Sequence, residues 1–380
     1  MQIKNILFLE PQPCIRALKY ASGLRWMLGE KIKIVFGYVH STLNDLYGYG
    51  NELFNKFEKL NLSNLKNDIR RLVKEHNIHI IHSHNAPDYL TVAAIEAVKG
   101  DIPIVHDTHD PLSMRKTKYY SNDSETKLQI YRVHEKIANE ECDGRIYVAE
   151  GIREYFHSIY RLDPNNELVF HNYALLSATP KRLKEKLSRR DGQVHVVYIG
   201  TLTSRVPGSH YDLRKIFKGI AEHGIHVHLY PSRLSLNDKA YKDMASNSRY
   251  IHYHGNLDHK TLLYEITKYD FGWAGFNINE KNEKHMEIAL PNKFFEYVAC
   301  GLPVLTFQQH KSIRNLVEKY NIGIVLNSLD DIPKIVKNRG KIKTLQDNLM
   351  KLRYNFTVEK NIHRLVNFYQ NICHQYSLVD

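Results

Sequence analysis

Pro291-Asn292-Lys293-Phe294-Phe295-Glu296-Tyr297-Val298-Ala299-Cys300-Gly301-Leu302-Pro303-Val304-Leu305 holds a helix start, a helix stop, a buried strand and one acid in apolar company. Pro291 suits a first helical position, where its missing N–H would have no partner, and Gly301 suits the residue just past the end. About two and a half turns of helix fit between them. Leu302–Phe307 follows as a short apolar run, so the unit reads helix, glycine turn, strand, as in a parallel α/β sheet. Glu296 sits mid-helix among Phe294, Phe295, Tyr297 and Val298. A carboxylate there needs a partner.

The same alternation runs through the chain. In the first half, strands are expected at Ile3–Leu9, Ile32–Phe36, Ile78–His82, Ile102–His106, Arg145–Val148 and Leu168–Phe170. Amphipathic helical patterns separate them. The basic stretch Pro180–Gly192 reads as a connector. Beyond it, strands are expected at Val194–Ile199, Ile225–Tyr230, Tyr250–His254, Phe271–Ala274, Val304–Phe307 and Gly323–Leu326. The tail reads as two helices, Leu345–Tyr354 and Val358–Tyr376. The expected fold class is α/β: two Rossmann-like, doubly wound parallel-sheet domains, 1–178 and 193–344, with C-terminal helices over 345–380.

A length of 380 residues suits two domains, and 43% hydrophobic with 25% charged residues is ordinary for a globular protein. No apolar run is long enough to span a membrane, and Met1–Glu10 reads as a first strand rather than a signal peptide. Four scattered cysteines, Cys14, Cys142, Cys300 and Cys373, fit a reducing cytoplasm. The net charge of +12 is one-sided: residues 1–172 hold 22 basic and 22 acidic side chains, so the excess lies in 173–380. An anionic ligand or surface, or a solvated basic face, accounts for it. No nucleic-acid module or aromatic-interleaved basic motif appears.

Ligands of open parallel sheets sit beyond the carboxyl ends of the strands. There the chain places His82-Ser83-His84-Asn85, His106-Asp107-Thr108-His109-Asp110 and the loop Gly200-Thr201-Leu202-Thr203-Ser204-Arg205-Val206-Pro207-Gly208. Such a loop, leading into a helix, presents backbone N–H groups to a phosphate, and Arg205 adds a permanent charge. The Pro291–Gly301 helix offers a second N-terminus. Its early amides with Lys293 suit a diphosphate, and Glu296 suits a ribose diol. The alternative for Glu296 is a buried salt bridge to a Lys or Arg. His79, His82, His84, His106 and His109 invite a zinc reading, but their spacing matches no zinc signature, so no metal is expected.

These pieces resemble the GT-B glycosyltransferases, and within them the retaining family numbered four. Ile80-Ile81-His82-Ser83-His84 resembles that family's strand-end signature, and Ile104–Asp110 its histidine-bearing loop. Val169-Phe170-His171-Asn172-Tyr173 resembles the segment before the interdomain linker, and Gly200-Thr201-Leu202 the start of the phosphate loop. The strongest match is Pro291–Val304. The resemblance implies an N-terminal acceptor domain and a C-terminal nucleotide-sugar domain facing a cleft, with the last helix crossing back to the first domain. It implies His109 beside the transferred sugar, Glu296 on the ribose, and Pro291, Asn292, Lys293, Gly200 and Thr201 around the donor. Arg16, His84, Asp110 and Asn172 would line the cleft or acceptor side.

Three departures stand out. The family's first glutamate would fall at Ile288, with Glu287 beside it as the candidate. Thr201 stands where an arginine is common, which leaves Arg205 to substitute. The glycine-rich loop after the first strand is replaced by Glu10-Pro11-Gln12-Pro13-Cys14-Ile15-Arg16, so Arg16 becomes a candidate for the anionic donor or acceptor. The implied activity is a metal-independent, cofactor-free transfer with retention from a nucleotide-sugar, UDP-linked before GDP-linked, to a glycan, lipid-linked or other small acceptor. A cytoplasmic protein with peripheral contact to an anionic membrane is expected. A nucleotide-sugar epimerase of the same fold and a non-catalytic sugar-nucleotide-binding protein are the rivals.

Overall fold

The computed structural model describes residues 3–114, 124–206 and 208–376, so Pro207 lies outside the described residues. The chain forms two compact units. One contains residues 3–114, 124–175 and 358–376, and the other 176–357.

The first unit is built on seven strands: β1 (Asn5–Leu9), β2 (Lys33–Tyr38), β3 (Lys56–Lys59), β4 (Ile80–His84), β5 (Ile104–Thr108), β6 (Gly144–Tyr147) and β7 (Glu167–Val169). All pair in parallel, in the order β3-β2-β1-β4-β5-β6-β7. Helices cover both faces, so β1, β4 and β5 are almost wholly buried. β3 escaped the sequence reading because Lys56-Phe57-Glu58-Lys59 is an exposed edge strand without an apolar run.

β4 and β5 each sit two residues later than expected. Pro103 cannot donate to a ladder, so β5 begins at Ile104, and the pairing of Ile6 with Ile80 sets where β4 begins. The shift carries His84 and Thr108 into the strands. The Val358–Tyr376 helix packs on the Ile15–Leu28 helix within this unit, whereas the Arg339–Leu352 helix belongs to the second.

The second unit has six parallel strands: β8 (His195–Gly200), β9 (His226–Pro231), β10 (Ile251–Tyr253), β11 (Phe271–Trp273), β12 (Val304–Phe307) and β13 (Gly323–Leu326). Their order is β10-β9-β8-β11-β12-β13. Strand order reverses at β1/β4 in one unit and at β8/β11 in the other, and such switch points open crevices at the carboxyl edge. Pro291 is the residue before the helix rather than its first: it is extended at φ −79°, ψ 154°, and the helix runs Asn292–Ala299. Gly301 closes it at φ +67°, with Leu302 N–H donating to Tyr297 O at 2.9 Å.

Five histidines line up on one face across β8, β9 and the end of β10. His195 pairs with His226 in register, and His228 with His252. With every ring in the Nε2–H form, His254 donates to His228 Nδ1 (3.0 Å), His228 to His195 Nδ1 (2.9 Å) and His195 to Asp191 Oδ2 (2.9 Å). His252 likewise donates to His226 Nδ1 (2.8 Å), and His226 to Gln193 Oε1 (2.9 Å). Cross-strand neighbours share a face, which makes the ladder a product of register.

Candidate active site

At the carboxyl edge of the second sheet, β8 ends at Gly200 with φ +118°. The loop beyond is pinned by side chains from after β9: Leu202 N–H donates to Ser235 Oγ (2.9 Å), and Ser204 N–H to Asp238 Oδ2 (2.7 Å). Tyr198 OH donates to Thr201 O at 2.7 Å. Thr201 Oγ1 lies 3.4 Å from Ser232 Oγ. Arg205 is exposed at the surface beside Asn237, Asp238 and Lys239, so it does not join Lys293 under the start of the loop.

Asn292 is half-buried at the first turn of its helix, whose cap position is Pro291, with no side-chain cap hydrogen bond of its own. Lys293 is buried, and its Nζ donates to Tyr198 OH at 2.8 Å. A Cβ on Gly200 would meet Lys293 Cε at 3.8 Å, so the structure brings these two expected donor residues together. Burial pushes the Lys293 ammonium down to about 7, with Glu296 one turn on pulling it back up.

Glu296 is buried, and its Oε1 lies 3.0 Å from His259 Nε2. The expected alternative was a Lys or Arg; an imidazole takes that place. His259 opens a helix whose Asp258 cap accepts from Thr261 N–H. Nothing in local spacing marks it. Glu287 is half-buried on the Glu283–Ile288 helix, between buried Met286 and Ile288.

The first unit holds a buried polar cluster at the β1/β4 switch point. Arg16 Nε donates to both Asp107 oxygens at 3.0 Å, while its Nη1 and Nη2 donate to Asn172 Oδ1 (3.1 Å) and Phe170 O (2.7 Å). Tyr20 OH donates to Asp107 Oδ2 at 2.6 Å. Arg16 is therefore held by Asp107 on one side and by Asn172 and Phe170 on the other. A guanidinium 3% exposed is held where its counter-ion lies, so Arg16 would reach an anionic ligand only by leaving Asp107. Burial alone would push the Asp107 carboxyl up, but Arg16 first, then His82 and His84, hold it well below the usual range.

His84 is fully buried, stacked on His82 with ring centroids 4.5 Å apart, and neither of its nitrogens has a hydrogen-bond partner among the described residues. Burial, then His82, keeps it neutral. His109 follows β5, 6.4 Å from His84 between ring centroids; its backbone N–H donates to Asn85 Oδ1 (3.1 Å), and its Nδ1 has no hydrogen-bond partner among the described residues. Burial lowers its affinity for a proton as well. Asp110 O accepts from Asn85 Nδ2 at 2.7 Å.

The sequence reading passed over Glu10, which accepts from Cys14 N–H at 2.9 Å and is raised by burial to about 8. It also passed over Asp107 as a site residue. Strand alternation held the signal: His84 pairs with Asp107 in register, and both point to one face with His82. His106 points to the other, where its Nε2 meets Asp88 Oδ1 at 3.1 Å.

Two triads come within reach of a single ion among the described residues, His82–His84–Asp107 and Glu10–Cys14–His84. The first does not suit a dication, because Asp107 already carries the Arg16 guanidinium. In the second, burial pushes both the Glu10 carboxyl and the Cys14 thiol toward their neutral forms.

Comparison with known proteins agrees with this architecture. The Glycosyltransferase Family 4 model matches residues 47–172, and the model described as Glucosyltransferase 3-like, C-terminal domain, matches residues 217–363. A glycosyltransferase from Rickettsia africae ESF-5 superposes with a TM-score of 0.71 at 12% identity, covering 98% of this chain and 99% of that one. The sucrose-phosphate synthase of Thermosynechococcus elongatus gives 0.69 at 11% identity over 97% and 99%. A UDP-GlcNAc 2-epimerase from Neisseria meningitidis, bound to UDP-GlcNAc, gives 0.57 at 12% over 97% and 100%. No curated protein matches the chain in sequence. The fold is that of the GT-B glycosyltransferases, and each unit is matched by a glycosyltransferase family model.

Proposed function

We propose that the protein transfers a sugar from a nucleotide-sugar, UDP-linked before GDP-linked, to a glycan, lipid-linked or other small acceptor, with retention of configuration and without a metal. The observation that carries this reading is the pair of buried ionisable groups on the Asn292–Ala299 helix: Lys293 beneath Gly200 and, one turn on, Glu296. In this reading Glu296 accepts hydrogen bonds from the ribose hydroxyls. The early amides of that helix and of the Gly200 loop stabilise the diphosphate as charge develops on it. Pro291, Asn292, Thr201, Arg205 and Glu287 complete the donor side.

On the acceptor side, His109 sits beside the reacting sugar or the β-phosphate, with His84 and Asp110 near it. The departing diphosphate oxygen helps deprotonate the acceptor hydroxyl, which is why no separate carboxylate base is required. No helix among the described residues is long and apolar enough to cross a membrane. Peripheral contact with an anionic membrane through the basic second half belongs to this proposal.

A thermal-shift series with UDP, GDP and ADP tests it, since a ligand that binds only the native state raises Tm. Stabilisation by UDP, followed by transfer from a UDP-sugar to an acceptor, is the expected outcome. The epimerase rival draws on the likeness to the UDP-GlcNAc 2-epimerase fold. Free nucleotide and sugar formed without acceptor would favour it.

A further inference from the structure

Lys293 has unusual neighbours for a lysine. Its Nζ lies over the rings of Tyr198 (4.1 Å), Phe276 (5.2 Å) and Tyr211 (5.7 Å), and donates to the Tyr198 hydroxyl. No carboxylate among the described residues forms an ion pair with it; Glu296 pairs with His259 instead. Two imidazoles face the same rings: His210, whose ring centroid lies 3.9 Å from that of Tyr211 and 5.7 Å from that of Phe276, and His310, whose Nε2 accepts from Phe276 N–H at 2.9 Å. Burial keeps the His310 imidazole neutral, at about 4. Burial pushes the Lys293 ammonium down to about 7, the Glu296 carboxylate one turn on pulls it part of the way back, and the aromatic faces around Nζ favour the cation as well.

The tyrosines and Phe276 come from β8, from the loop beyond it and from the segment after β11, so the box stands at the switch point of the sheet. An anion arriving there supplies what the box lacks. We propose that Lys293 is a proton-linked binding residue: it takes a proton from solvent when a nucleoside diphosphate settles on the Gly200 loop and the start of the Asn292–Ala299 helix, and returns it when the diphosphate leaves. This rests on the donor-site reading above. A raised neutral fraction spares the unliganded site part of a buried, unpaired charge, and the ammonium is completed when phosphate oxygens offset it.

Calorimetric titration of the full chain with UDP at pH 8, in Tris and in HEPES, measures the protons exchanged from the dependence of the heat on buffer ionisation. Wild type should take up about half a proton or more per UDP, because the unliganded lysine is mostly neutral at that pH. Lys293→Met removes the titrating group and Lys293→Arg fixes its charge. Both should bind UDP with almost no uptake, and Lys293→Arg serves alone if the methionine variant does not fold. Wild type that binds UDP without proton uptake overturns the proposal, as does full uptake retained in Lys293→Arg. Failure of UDP, GDP and ADP alike to bind overturns the donor-site reading itself, and this inference with it.

Discussion

The ring of Tyr297 lies so close over the backbone of Gly272 that a Cβ at residue 272 would come 2.3 Å from Tyr297 Cγ. Tyr297 crosses β11 at that glycine, and its hydroxyl accepts from Ile199 N–H on β8 at 3.0 Å, one residue before Gly200. The helix carrying Lys293 and Glu296 is thereby tied to the end of the central strand. Gly272→Ala should force this ring or strand to move, destabilising the protein by roughly 1–3 kcal/mol or more. Urea unfolding measures it, and wild-type stability would show that the contact relaxes without penalty.

Glu296→Gln should weaken UDP binding at least about ten-fold, or about 1.4 kcal/mol, because a neutral amide is a poorer acceptor for two hydroxyls than a carboxylate. The His259 partner stays in place, so melting temperature serves as the control. Unchanged affinity and turnover in a folded variant would remove Glu296 from donor recognition.

His109→Ala should slow sugar transfer about ten-fold or more while leaving UDP affinity nearly unchanged, the pattern of a group acting mainly in the transition state. The loop is held by the backbone N–H of His109 on Asn85, which the substitution retains. A stable, fully active variant would eliminate the side chain from the mechanism.

Transfer should survive prolonged treatment with EDTA, since helix N-termini and Lys293 are assigned the charge of the leaving diphosphate. The Glu10–Cys14–His84 triad gives this test its edge. Activity lost to EDTA and restored by added Mg²⁺, Mn²⁺ or Zn²⁺ would assign the reaction to a metal instead.

The histidine ladder should make the fold sensitive to acid. Burial first, then the neighbouring imidazoles, pushes His228 far below its ordinary value; burial, then Lys268, pushes His254 down to about 4, and burial also lowers His226 and His252. These rings are neutral when folded but titrate near 6.5 when unfolded, so their stability contribution is complete above that pH and is lost as pH falls below it. Tm should drop steadily from about pH 6.5 to 4.5. His228→Gln should release about one proton less on refolding at pH 5.5 than wild type, and an identical pH profile for the two proteins would exclude the ladder as the cause.

What the residues themselves determine is local. Apolar runs, Pro103, Gly301 and the Pro291 helix start encode strand, turn and helix within a few positions, and their alternation was enough to indicate two parallel-sheet units. Tertiary structure alone decided the partners of the buried charges. Arg16 meets Asp107 and Asn172 across separations of 91 and 156 residues, and Glu296 meets His259 across 37. Those meetings depend on strand order and on a register in which a shift of one residue turns a side chain to the opposite face. The two-residue displacement of β4 and β5 was therefore enough to hide the His84–Asp107 pairing, while Lys293 acquires its aromatic box only when β8, the loop beyond it and the segment after β11 come together at one edge.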